Sequence, residues 1–181
     1  IRGGATPSTK NEDFWDGDIH WTSPKDLSGN NAKVLLETAR KITEQGLARI
    51  SSGLLPKNTV LMSSRAPVGY LALARVPVAI NQGYIALICN KRVSPEYAIY
   101  FLESRMDEIK GVSGGTTFAE ISKKTFKEIK ILVPNNIDLI ESYSANVRGF
   151  FSKVEENERM KLTLSLLRDR LLPKLISGEL L

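Results

Sequence analysis

Hydrophobic positions fall into three regimes along the chain. Between residues 59 and 88 they come in short runs, Thr59-Val60-Leu61-Met62-Ser63, Tyr70-Leu71-Ala72-Leu73-Ala74 and Tyr84-Ile85-Ala86-Leu87-Ile88, separated by Pro or Gly. Runs of this length without strict alternation predict strands buried on both faces. From Ser94 the period lengthens. Ser94-Pro95-Glu96 supplies an N-cap and a first-turn proline, Gly111 a stop, and Tyr97, Phe101, Leu102 and Ile109 one buried face, which predicts a helix. Thr117-Phe118-Ala119-Glu120 and Thr125-Phe126-Lys127-Glu128 have capping-box spacing and predict one or two short helices, followed by a last strand over Ile129 to Val133. From Asp138 to Ile176 only Gly149 and Pro173 interrupt a helical pattern, which would extend roughly 60 Å. Heptad spacing along it places Ile140, Tyr143, Val147, Phe150, Val154, Leu164, Leu171 and Leu175 on one stripe with Asn157, Lys161 and Arg168. A stripe that long calls for a second long helix beside it. The alternative is that its first two or three turns pack back on the same domain and leave the far end exposed.

Upstream, the first 30 or so residues are rich in Gly, Pro, Ser and Asp and predict loop and short strand. Val34 to Ile42 fits helix or extended chain equally, and Thr43 to Leu47 a short capped turn. The fold class is therefore α+β: a mixed, β-rich globular domain over residues 1–136, followed by a long C-terminal helix over 137–181 that forms a coiled coil with a second helix and docks onto a partner. The 181 residues suffice for one domain of about 135 plus such an element. The chain opens on Ile1, which suggests that the native protein continues upstream or that its start was removed. No apolar run approaches the ~20 residues of a membrane span, and no signal peptide is visible, so a cytoplasmic location is expected.

Charge sharpens this division. Residues 1–137 hold 18 Lys/Arg against 13 Asp/Glu, and residues 138–181 hold 7 against 7, so the whole net charge of +5 belongs to the first part. A basic globular part beside a neutral helix suggests a polyanion-binding domain on a protein-binding stalk, although a solvated basic surface would leave the same composition. Candidate catalytic chemistry is sparse. Cys89 lies in an apolar stretch with no histidine to activate it and is expected to fill core space. One Cys and one His, His20, are too few for a structural zinc site, so no metal is expected. Gly111 to Thr117 resembles a phosphate loop but lacks the lysine of that pattern, and no tetrapeptide of the amino-methyltransferase kind is present. Asp13, Asp16 and Asp18 are close in sequence, but in a loop without a strand to aim them they do not compose a nuclease site.

The remaining polar segments suit duplex DNA. Ser63-Ser64-Arg65-Ala66-Pro67-Val68-Gly69 leaves a strand for a turn and would set an arginine and two hydroxyls at a sheet edge. Arginine pairs bidentately with guanine, and serine serves a base or a phosphate. Asn81-Gln82-Gly83 offers two amides, the side chains that pair bidentately with adenine. Lys123 and Lys124 follow the Thr116-Thr117 loop and would neutralise phosphates. Arg65 as an internal hydrogen-bond hub and Gln82 as a turn amide are the structural alternatives.

Taken in order, Gly3-Gly4-Ala5-Thr6-Pro7-Ser8, Phe14-Trp15-Asp16-Gly17-Asp18-Ile19 with Trp21, Ser23-Pro24-Lys25-Asp26-Leu27, Thr43-Glu44-Gln45-Gly46-Leu47, Ser63 to Gly69, Ala79-Ile80-Asn81-Gln82-Gly83 and Gly115-Thr116-Thr117-Phe118-Ala119-Glu120-Ile121-Ser122 resemble the target-recognition domain of type I restriction-modification specificity subunits. Leu171-Leu172-Pro173-Lys174-Leu175-Ile176-Ser177-Gly178-Glu179-Leu180 is similar to the end of such subunits, whereas Pro134-Asn135-Asn136-Ile137-Asp138 departs from the family's opening of the long helix. The resemblance implies a non-catalytic, cofactor-free component that reads half of a bipartite duplex site, with its long helix in an antiparallel coiled coil that docks partner subunits. Lys25, Lys123 and Lys124 would lie on phosphates, residues near Arg65, Gln82, Thr116 and Thr117 at the bases, and Ser63 and Ser64 on a base or a phosphate. The implied partners are a DNA adenine methyltransferase subunit, a restriction and translocase subunit, and either a second recognition half or a second copy paired through the helix. A recognition tail of a fused restriction-methylation enzyme and a coiled-coil adaptor that binds protein remain the alternatives.

Overall fold

The apolar runs at 60–63, 71–74 and 84–87 lie side by side as adjacent strands of one sheet, and the rest of the architecture is arranged around them. The computed structural model describes residues 1–65, 67–115 and 119–178. Among these, the strands are β1 (Arg2–Gly3), β2 (Trp15–Thr22), β3 (Val34–Leu35), β4 (Arg40–Ile42), β5 (Val60–Ser63), β6 (Leu71–Ala74), β7 (Ala79–Ile80) and β8 (Tyr84–Leu87). The α-helices are α1 (Glu44–Leu47), α2 (Pro95–Ser104), α3 (Met106–Gly111), α4 (Lys123–Glu128) and α5 (Ile137–Ile176). One sheet runs β1-β8-β5-β6-β3 and a second runs β4-β2-β7.

β5 is central, antiparallel to both neighbours, with Leu61 opposite Ala72 on one side and Ala86 on the other. Because side chains alternate along a strand, Val60 and Met62 pack under α2 with Ile99 and Leu102, while Leu61 faces a second cluster containing Leu27, Leu55 and Tyr84. Both faces are covered, which is why the strand reads as an unbroken apolar run. The smaller sheet has its own core, where Trp15 and Trp21 meet edge to face at 5.1 Å over Ile42. β2 is longer than the loop-rich composition of its region predicts. It carries a bulge: Trp15 and Ile19 both align with Ile42, and Asp16 takes φ 60°. The ambiguous segment from Val34 to Ile42 resolves into β3 and β4.

Three expectations change. The helix after Ser94 breaks at Arg105 (φ −107°, ψ 12°) into α2 and α3, which turns Ile109 fully into the core. No helix forms at Ala119–Glu120. There Glu120 bridges Arg65 and Gly114, and the short helix begins instead at Lys123, capped by Ser122, whose Oγ accepts from Thr125 N–H at 3.0 Å. Ile129 to Val133 is not a strand: β1 holds the sheet edge beside β8, and the segment is tied by Tyr97 Oη, which donates to the Leu132 carbonyl at 2.5 Å.

α5 starts one residue after its Asn136 cap, whose Oδ1 accepts from Asp138 N–H at 2.9 Å. Its first half is docked on the domain through Ile140, Ser144, Val147, Phe151 and Val154, with Phe151 4% exposed and the adjacent Phe150 72% exposed. This corrects the coiled-coil stripe. Ile140, Val147 and Val154 face the chain's own domain and are not free for a second helix. The exposed stripe steps by four and three through Leu139, Tyr143, Asn146, Phe150, Lys153, Asn157, Met160, Leu164, Leu167 and Leu171. The sequence pattern merged two apolar sides of one helix. At Lys161 and Arg168, where the merged stripe is polar, the exposed stripe carries Met160 and Leu167 instead. Docking also runs further than two or three turns, since Glu155 still reaches Arg75. Beyond Glu158 no residue of the helix is buried.

Candidate nucleic-acid interface

Glycine contacts bring the N-terminal segment to the site. A Cβ on Gly4 would stand 1.8 Å from the Ile80 carbonyl oxygen, so only glycine permits this approach. Ala5 N–H donates to that carbonyl at 2.9 Å and Trp21 Nε1 donates to the Ala5 carbonyl at 3.2 Å. Residues 3–6 therefore run against β7, and Thr6 comes over the turn that follows it. Thr6 Oγ1 donates to Gln82 Oε1 at 2.7 Å, Asn81 Nδ2 donates to Thr6 Oγ1 at 2.8 Å, and Gly83 N–H donates to Asn81 Oδ1 at 2.5 Å.

The other motifs are stitched to the same turn. A Cβ on Gly83 would lie 3.0 Å from Pro24 Cγ, which sets the Pro24–Leu27 turn and its exposed Lys25 beside it. That turn is held by Asp26, whose Oδ2 accepts from Ser23 N–H at 2.8 Å and whose Oδ1 accepts from Ala39 N–H at 2.9 Å. Tyr84 Oη donates to the Ser23 carbonyl at 2.7 Å, and burial drives its ionisation far above the ordinary phenol range, so it remains a donor. Ser64 N–H donates to the Gly83 carbonyl at 2.8 Å, and Ile121 N–H donates to the Ser64 carbonyl at 3.0 Å. Lys123 then opens α4 with its ammonium beside Gly3, where a Cβ would meet Nζ at 2.6 Å.

Segments up to 120 residues apart in sequence are thus joined through the Asn81–Gly83 turn, and they bear Lys25, Arg65, Gln82, Lys123 and Lys124. Both Lys123 and Lys124 are exposed, as is Gln82; Arg65 is half-buried, and its backbone pairs with that of Glu120 as an isolated antiparallel β-bridge. The two serines are placed differently from the expectation. Ser63 is fully buried: its Oγ donates to the Pro67 carbonyl at 2.7 Å and accepts from Tyr70 N–H at 2.8 Å, closing the turn. Ser64 is 3% exposed and contributes its backbone. Neither hydroxyl is at the surface, because the strand stays inside until Arg65. Thr116 and Thr117 lie outside the described residues. Sequence reasoning missed Thr6, whose role exists only through contacts 75 and 76 residues away. It also missed Arg40, whose guanidinium stacks 3.4 Å over Trp15.

Burial first, and the charge of Glu96 next, push the Cys89 thiol up to about 11, away from nucleophilic thiolate. His20 Nδ1 lies 3.2 Å from Thr38 Oγ1 and 3.7 Å from Glu37. Among the described residues no group of three or more His, Cys, Asp or Glu is placed to hold a metal ion, and no helix is long and apolar enough to cross a membrane.

Residues 1–138 match the profile of a family described as the type I restriction modification DNA specificity domain. The chain is 38% identical over 161 residues to the type I restriction enzyme MjaIX specificity subunit of Methanocaldococcus jannaschii, a match covering 88% of this chain and 37% of that protein. It is 27% identical over 180 residues to the HindI specificity subunit of Haemophilus influenzae, covering 98% of this chain and 39% of that one. The chain therefore spans under two fifths of the length of these relatives. Among solved structures it resembles the HsdS subunit from Thermoanaerobacter tengcongensis, with a TM-score of 0.57 at 16% identity over 85% of this chain and 36% of that one. It also resembles a chain from a type I R-M system solved to describe its complex assembly, with a TM-score of 0.58 at 19% identity over 96% and 42%. At these identities the structural likeness concerns the fold.

Proposed function

Because the chain belongs to the type I restriction modification DNA specificity domain family, we propose that it reads one half of a bipartite duplex site and directs adenine methylation and restriction carried out by partner subunits. The observation that carries this is the convergence of five separate segments on one basic surface, held by backbone hydrogen bonds and exposing Lys25, Gln82, Lys123 and Lys124. Lysines there neutralise phosphates, which fixes orientation without sequence information, and Arg65 and Gln82 supply base-edge contacts. The chain itself performs no bond chemistry and needs no cofactor. Its partners are a DNA adenine methyltransferase subunit and a restriction and translocase subunit, in the cytoplasm where the DNA is.

The exposed stripe of α5 supports pairing with a second long helix. In an antiparallel pair centred on Asn157, Phe150 would oppose Leu164 and Tyr143 would oppose Leu171, giving an isologous contact that holds two recognition surfaces a helix length apart. The second helix belongs to another copy or to the second half of a longer specificity subunit. Selection of bound sequences from a random duplex library, by the chain alone and with a methyltransferase subunit, tests the proposal. A bipartite inverted repeat with fixed spacing is expected for self-pairing and a single half-site for half of a longer subunit. Retention without sequence enrichment, or no retention with the partner present, would favour a protein-binding adaptor.

A further inference from the structure

Hydrogen bonds around the Ala79–Gly83 turn form a relay that runs in one direction. Asn81 Oδ1 accepts from the Gly83 amide, so its other terminus, Nδ2, is a donor and faces Thr6. Thr6 Oγ1 accepts that bond and donates its single proton to Gln82 Oε1, 2.7 Å away. A flipped Gln82 amide would give up the bond from the Thr6 hydroxyl and turn that proton out to solvent. Gln82 Nε2 is turned from the relay, and among the described residues it has no acceptor. The relay is anchored, since Gly4 presses the segment bearing Thr6 against Ile80 and Gly83 ties Asn81 to the backbone.

We infer that Thr6 is a positioning residue that presents Gln82 to DNA as a donor, so that Gln82 selects an acceptor on a base edge: purine N7, guanine O6 or thymine O4. The inference rests on the DNA-reading role proposed above and names which group at that surface discriminates. An exposed glutamine that rotates freely shows both a donor and an acceptor and distinguishes bases poorly. One whose carbonyl is already bonded offers chiefly its N–H groups.

Random-duplex selection on the full chain tests this in four proteins: wild type, Thr6→Val, Thr6→Ser and Gln82→Glu. Valine keeps the shape of threonine and removes the hydroxyl, whereas serine keeps the hydroxyl. Thr6→Val is expected to flatten the base preference at one position, on the order of tenfold, with the other positions unchanged. Thr6→Ser should restore it. Gln82→Glu, which presents an acceptor in place of the donor, should switch that position towards a donor edge such as cytosine N4. A uniform loss of affinity in Thr6→Val without change in the matrix would mean that the relay only braces the fold, and would overturn the inference. An unchanged matrix in Gln82→Glu overturns it as well. If wild type enriches no sequence, the DNA-reading proposal itself fails, an outcome separable from either of these.

Discussion

Arg75 and Glu155 meet across the seam between the larger sheet and α5, with Arg75 Nε 3.3 Å from Glu155 Oε2. The approach is too bent for a hydrogen bond from Nε, but the Arg75 Nη1 donates to Asn58 Oδ1 at 2.5 Å, and the guanidinium lies 5.6 Å from the Phe151 ring. Arg75 is 8% exposed, so its charge is compensated within the fold. This pair, together with Glu96 and Arg148 at 3.3 Å, sets the direction in which the long helix leaves the domain.

For Glu155, partial burial alone would raise its ionisation. The hydrogen bond from Arg159, at 2.8 Å, and the charges of Lys57, Arg75 and Arg159 outweigh it and lower the carboxyl. A lowered folded-state value means that its stabilisation is complete above the ordinary carboxylate range and is lost as pH falls through the folded value. Glu155→Gln is expected to cost about 1–2 kcal/mol in urea unfolding near neutral pH, with the difference from wild type shrinking below pH ~4. An equal difference at both pH values would show that charge contributes nothing to the seam.

Adjacent phenylalanines should behave oppositely. Phe151→Ala empties a buried site and is expected to lower unfolding free energy by about 3–5 kcal/mol. Phe150→Ala, on the exposed stripe, should leave unfolding of the monomer within about 0.5 kcal/mol of wild type and weaken self-association or association with a second long helix. Urea titration at low concentration and sedimentation equilibrium separate the two. If Phe150→Ala leaves association unchanged, the stripe is not the contact.

Lys25, Lys123 and Lys124 are proposed to lie on phosphates. Replacing any one by alanine should weaken binding to all duplexes alike and reduce the slope of log affinity against log salt by about 1, leaving the selected sequence unaltered. Fluorescence anisotropy over a salt series measures both quantities. A changed sequence preference in any of the three would move that lysine from a phosphate to a base.

The local regularities of this protein are legible in its sequence. β5, β6 and β8 are strands because short apolar runs between Pro and Gly can be buried on both faces, α2 begins where Ser94 and Pro95 say it should, and α1 follows the Thr43 cap. The basic excess before residue 138 and the order of polar motifs also point to a nucleic-acid surface and to a family. Where the outcome depends on which neighbour a segment meets, the sequence is silent or misleading. Ile129 to Val133 is as apolar as a strand yet pairs with none, since β1 holds the sheet edge beside β8. Ser63 looks like a surface hydroxyl but is consumed by the turn it closes. Thr6 acquires a role only because Gly4 lets its segment touch Ile80, across more than 70 residues of chain. The apolar periodicity of the long helix is real, but its division between Ile140, Val147, Phe151 and Val154, turned to the domain, and Leu139, Phe150, Met160 and Leu167, turned outward, is decided by packing. Periodicity records that a side of a helix is apolar; only the tertiary structure determines what covers it.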